Sequence, residues 1–131
     1  MTGFIGDIEK ITEVNENFRE VLYTARHLQL VVMSLRPGED IGEEVHKLDQ
    51  FLRVESGVGV AIIDGVQHKI MKGSGVVVPA GARHNLINTS QQHPLKLYTI
   101  YGPPAHRDGV VRKTKVTAET IEEHFDGKIS E

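Results

Sequence analysis

Cysteine is absent from the 131 residues, which removes disulfides, thiolate metal sites and thiol nucleophiles at once. A basic excess is missing too. Fifteen Lys and Arg stand against eighteen Asp and Glu, a formal charge of −3, so no overall positive field draws the chain to nucleic acid or anionic lipid. The longest apolar stretches, such as Leu30 to Met33 and Val76 to Val78, fall well short of the ~20 residues a membrane-spanning helix needs. The first residues, Met1 to Lys10, carry Asp7 and Glu9 and no basic lead into an apolar core, so no secretory signal is expected. These absences predict one soluble cytoplasmic domain with neither nucleic-acid nor membrane partners.

What is present leans to β structure. Fifteen valines and eleven isoleucines are β-branched and favour strands over helices. Thirteen glycines and five prolines recur at short intervals, as short strands joined by tight turns require. The pattern predicts strands over residues 18–24, 27–35, 50–55, 58–63, 66–71, 76–78, 84–88 and 95–101. Asp64-Gly65 between two of them is a strong two-residue hairpin signal. In the strand from His27 to Leu35 both faces are apolar, which predicts either a sandwich interior or a subunit contact. Residues 1–17 read as an irregular arm, 18–116 as the β domain, and 117–131 as a short helix and tail. Thr117 is the expected N-cap, Val116 and Ile121 a hydrophobic staple, and Asp126-Gly127 the end of that helix.

Side chains two apart on a strand share a face. Glu44 and His46 can therefore point into one space, and Gln50 returns to the same side whether the chain continues or turns. His84 follows the turn Pro79-Ala80-Gly81, which can bring it back across the domain. A carboxylate, two imidazoles and an amide oxygen form a mixed nitrogen and oxygen donor set suited to a divalent transition ion. Gln50 has two readings, direct ligand or hydrogen-bonding partner of a ligand. Glu43 and Asp49 have the wrong parity and are expected in solvent. His27, His68 and His124 lack a partner pattern, whereas His93 and His106 lie in loops that can reach the domain's mouth. Arg112, Lys113 and Lys115 read as a solvated basic face.

These residues also carry a family resemblance. Gly38-x5-Glu44-x-His46-x3-Gln50-x6-Gly57 resembles the first cupin motif, normally G-x5-H-x-H-x3–4-E-x6-G. Gly73-x5-Pro79-x-Gly81-x2-His84-x3-Asn88 matches the second at every fixed position. Fifteen residues, Val58 to Lys72, separate the two, a spacing similar to that of small bacterial cupins related to phosphomannose isomerase. The resemblance implies an all-β jelly-roll barrel, one metal ion in its mouth and a homodimer. Two positions depart from the pattern: Glu44 stands for the first histidine and Gln50 for the glutamate. The departures compensate, because two imidazoles, a carboxylate and an amide carry the same single negative charge as three imidazoles and a carboxylate.

The resemblance and the donor set together imply one divalent ion (Zn, Mn, Fe or Ni) held by Glu44, His46, Gln50 and His84. The activity they imply is metal-assisted enolisation of a small oxygenated substrate, as in sugar or sugar-phosphate isomerases, with Glu44 as the nearest base. Two alternatives use the same residues: an iron-dependent dioxygenase, and a metal- or ligand-binding module without turnover.

Overall fold

The computed structural model covers residues 1–131. Two antiparallel sheets face each other. Their strands are β1 (Arg19–Thr24), β2 (Gln29–Leu35), β3 (Glu44–Val45), β4 (Asp49–Ser56), β5 (Val58–Ile63), β6 (Val66–Met71), β7 (Gly75–Val78), β8 (Arg83–Asn88), β9 (Leu95–Gly102) and β10 (Val111–Arg112). The six-stranded sheet runs β10-β1-β2-β9-β4-β7 and the four-stranded one β3-β8-β5-β6. Neighbours distant in sequence, such as β2 with β9 and β5 with β8, give the jelly-roll connection.

The alternation of strand side chains builds the core. Val31, Met33, Leu35, Leu52, Val54, Leu95 and Leu97 project inward from the large sheet, and Ala61, Ile70 and Leu86 meet them from the small one. The hairpin at Asp64-Gly65 forms as its sequence demands: both residues have positive φ (46° and 82°) and Ile63 pairs with Val66. Gly57 joins β4 to β5 at φ 95°, and a Cβ there would lie 2.5 Å from the Pro94 carbonyl oxygen. The first motif therefore ends on a position that only glycine fits.

Two expectations are corrected. The N-terminal arm is not irregular throughout: α1 spans Ile8–Val14, and the Asp7 side chain caps it by accepting from Lys10 N. This helix packs across β9, β4 and β2, on the outward side, where Lys96 Nζ donates to the carbonyls of Glu13 and Asn15. Val32, on that side of β2, is 1% exposed. At Val32 the outward face of the doubly apolar strand is thus covered by α1, whereas Leu28 at its start is exposed.

The second correction is at the other end. Helix α2 spans Lys115–Thr120 and starts three residues earlier than the sequence suggested. Its N-cap is Thr114, whose hydroxyl accepts from Thr117 N at 3.2 Å, while the Thr117 hydroxyl accepts from Thr114 N at 3.4 Å. With this phase Ala118 is buried, and Val116 and Ile121 are exposed, so no staple forms. Phe125 lies beyond the helix, and its N–H donates to the Ala105 carbonyl. Thr114→Ala should lower stability by about 1 kcal/mol, the usual worth of such a cap. Thermal melts check this, and an unchanged midpoint would mean that α2 does not depend on its capping box. No helix is long and apolar enough to cross a membrane.

Candidate metal centre

Three of the four expected donors are brought together by strand pairing. Glu44 on β3 is the register partner of His84 on β8, and His46 follows Glu44 by two residues. One ligand atom from each of Glu44, His46 and His84 lies within 4.8 Å of the others. The His46 and His84 rings are 5.2 Å apart. His46 Nε2 is 2.7 Å from Glu44 Oε2, so the imidazole and carboxylate are in hydrogen-bond contact.

The two motifs position each other. In the turn of the second motif Gly81 has φ 88° and its N–H donates to the His46 carbonyl at 2.8 Å. Ala80 N donates to Asp49 Oδ1 at 2.9 Å, so Asp49, exposed as expected, also ties the two loops together. His84 Nδ1 donates to the Ala82 carbonyl at 3.0 Å, which leaves Nε2 as the free donor for an ion. Asn88, the last residue of that motif, is structural: its Nδ2 donates to the carbonyls of Leu35, Arg36 and His93. Glu43 pairs with Arg83 on the surface.

Gln50 lies on β4, opposite Tyr101 and Val78, and shares a small internal cavity with His84. Its Nε2 donates to Thr99 Oγ1 at 3.0 Å, and its Oε1 is buried with no partner. A buried carbonyl oxygen left unpaired carries a desolvation penalty, and that orphan acceptor fits a cation. Burial pushes the Glu44 carboxyl upward, but the His46 hydrogen bond and the charges of His46 and His84 outweigh it and hold it below its ordinary value. The residues present therefore fit a divalent ion: one carboxylate, two imidazoles and one unfilled amide oxygen.

The centre opens into a cavity of about 500 Å³, within the range of small-molecule sites. Glu44 and His46 line it on one side, and Glu119, Glu122, Glu123, His124 and Phe125 supply another wall. His106 reaches this cavity, as its loop position allowed, whereas His93 lines a separate cleft. His27 and His68 are exposed as expected, and His124, also exposed, sits on the cavity rim. The Tyr101 ring lies 5.9 Å from His46 and 5.2 Å from His106, and burial pushes its hydroxyl pKa upward.

Sequence reasoning missed the second charged group. Glu123 is buried, 3.3 Å from Arg19 Nη2 and 3.1 Å from Arg112 Nη2. Burial raises its carboxyl, yet His106 and the two guanidinium groups outweigh this and hold it below its ordinary value. A depressed carboxylate contributes stability above the ordinary carboxylate range and loses it as pH falls through the folded-state value. The gap in melting temperature between the wild type and Glu123→Gln should therefore narrow on acidification from pH 6 to 4. A constant gap would show that the charge of Glu123 is immaterial to folding. No spacing pattern in the sequence signals this cluster, since Arg19 lies 104 residues before Glu123.

The comparisons with known proteins agree with the fold. The cupin domain profile matches residues 31–101. YrkC of Bacillus subtilis is 44% identical over 127 residues, covering 92% of this chain and 68% of that protein. L612 of Acanthamoeba polyphaga mimivirus is 39% identical over 112 residues, covering 82% of this chain and 70% of its own length. The crystal structure of BH2720 from Bacillus halodurans superposes with a TM-score of 0.89 at 42% identity, over 92% of this chain and 96% of that one. An RmlC-like cupin from Shewanella frigidimarina shares the fold alone, at TM-score 0.60 and 21% identity over 65% of this chain and 74% of its own. The profile spans more than half of the chain and the fold agrees with it, and the chain belongs to the cupin domain family.

Proposed function

We propose that this cupin binds one divalent transition ion through Glu44, His46, His84 and Gln50 and acts as an enzyme on a small oxygenated molecule, in the manner of a sugar or sugar-phosphate isomerase. The observation that carries the reading is the convergence of Glu44, His46 and His84 within 4.8 Å beside the large cavity. When bound, the ion supplies Lewis-acid polarisation of a substrate carbonyl. Glu44, with its carboxyl held below the ordinary range, is ionised at neutral pH and is the base closest to that point. His46, by its 2.7 Å contact, orients it, and the fixed tautomer of His84 presents Nε2. Elemental analysis of untagged protein should find one of Zn, Mn, Fe or Ni near one per chain, and the loaded protein should interconvert members of a panel of aldoses, ketoses and their phosphates. Loaded protein that leaves the whole panel unchanged refutes the isomerase reading; protein that takes up no divalent ion refutes the metal.

A second reading rests on the same triad. Two histidines and one carboxylate with open positions suit non-haem iron and oxygen, and iron-dependent oxygen uptake with a substrate present would favour a dioxygenase. A co-purified small molecule that stays bound and unchanged would instead favour a binding module. We also propose a homodimer, on the family resemblance. A sedimentation mass of a single 14.6 kDa chain at micromolar concentration would exclude it.

A further inference from the structure

We infer that Arg19, Arg112 and His106 form an oxyanion-binding site on the wall of the cavity, occupied here by the chain's own Glu123. The three cationic or donor side chains come from β1, β10 and the loop after β9, and converge on one carboxylate whose side chain is 1% exposed. Glu123 Oε1 faces Arg19 Nη2 at 3.3 Å and His106 Nδ1 at 3.4 Å, and Oε2 accepts from Arg112 Nη2 at 3.1 Å. Arg19 and His106 line the same cavity as Glu44 and His46.

The carboxylate does not saturate its donors. Arg19 Nε and His106 Nδ1 are buried with no partner of hydrogen-bond geometry, although Glu123 Oε1 lies 3.4 Å from that Nδ1. Unpaired buried donors are costly, and a partly satisfied network is the place where a better-matched group wins. A phosphoryl or other tetrahedral oxyanion offers more acceptor oxygens than a carboxylate. The site is also carefully held. Gln29, fully buried on β2, accepts from Ala105 N and His106 N and donates to the His106 carbonyl, which fixes the loop that carries the imidazole.

The occupant, by contrast, sits on a lightly attached segment. Ile121, Glu122 and His124 are exposed, and the backbone ties are Ile121 N to the Thr117 carbonyl, Phe125 N to the Ala105 carbonyl and Arg112 Nε to the Ile121 carbonyl. Two half-buried guanidinium groups are costly to leave without an anion, so exchange with an incoming oxyanion is favoured over simple opening. Of the other carboxylates around the cavity, Glu119 is paired with Lys115, Glu122 is in water, and Glu44 belongs to the metal centre. The inference does not depend on a bound ion.

Titration calorimetry of the metal-free full-length chain with inorganic phosphate tests it. A tethered carboxylate competes at an effective concentration in the millimolar range. Wild type should therefore bind phosphate measurably, and Glu123→Ala on the order of tenfold more tightly. Adding Arg19→Ala to that variant should abolish the gain. If Glu123→Ala does not fold, as judged by its melting transition, Glu123→Gln carries the same comparison. Equal affinity in wild type and variant overturns the proposal. So does a gain that survives Arg19→Ala, or phosphate binding confined to the variant, which would make Glu123 a fixed counter-ion.

Discussion

Replacing Glu44 by glutamine should lower divalent-ion affinity by about a hundredfold, close to 2.7 kcal/mol at 1.4 kcal/mol per tenfold step. Glu44 is the single anion among Glu44, His46, Gln50 and His84, so its loss leaves a neutral donor set around a doubly charged ion. Glu44→His should do comparable damage despite restoring the residue common in the first cupin motif, because it too removes the only charge. The double variant Glu44→His with Gln50→Glu moves that charge to β4 and should recover most of the affinity. Gln50 Oε1, buried and unpartnered, is the position where a carboxylate would then stand. Competition against a chromophoric chelator reads all four proteins. Glu44 is one-third exposed at its side chain, and a cooperative melt of each variant above the assay temperature separates affinity changes from unfolding. If the double variant binds no better than Glu44→His, the two substitutions are not a matched pair and Gln50 is not within reach of the ion.

The part of this site that could be read from sequence is the part encoded by local rules. Glycines at 57 and 81 and the Asp64-Gly65 pair announce turns because few other residues reach positive φ. The i, i+2 spacing of Glu44 and His46 announces a shared face because strand side chains alternate. Where the reading failed, the deciding contacts lie far apart in the chain. Helix α1 has only a few apolar positions and forms against the outward face of β2, β4 and β9, so tertiary contact outweighs a weak local pattern. The phase of α2 was misread because Thr114 and Thr117 are equally good caps on local grounds. Burial of Ala118 selects Thr114. Glu123 looked like one more acidic residue in a helical tail, and Arg112 like part of a solvated basic cluster. Only the folded chain shows that they meet Arg19 and His106.

Gln29→Leu should cost about 3 kcal/mol, the sum expected when several buried groups lose their partners together. Gln29 is 0% exposed, and its amide makes four bonds: Nε2 donates to Thr24 Oγ1 and the His106 carbonyl, and Oε1 accepts from Ala105 N and His106 N. Leucine fills a similar volume, so the cavity penalty of a truncation is avoided and the loss reports the hydrogen bonds. In a chain of this length the melting temperature should fall by roughly 10 °C. The effect should also be directional. The loop at 105–106 carries His106 and the carbonyl that receives Phe125 N, so amide exchange should quicken at residues 105–106 and 121–125. Glu44, His46 and His84 are held by β3, β8 and the Gly81 turn, none of which Gln29 touches, so divalent-ion affinity should stay within about threefold of wild type. A fall below 1 kcal/mol would mean that water satisfies those backbone groups as well as the amide does. A collapse of ion affinity would mean instead that the wall at His106 and the metal centre are one cooperative unit, contrary to the separate elements that position them.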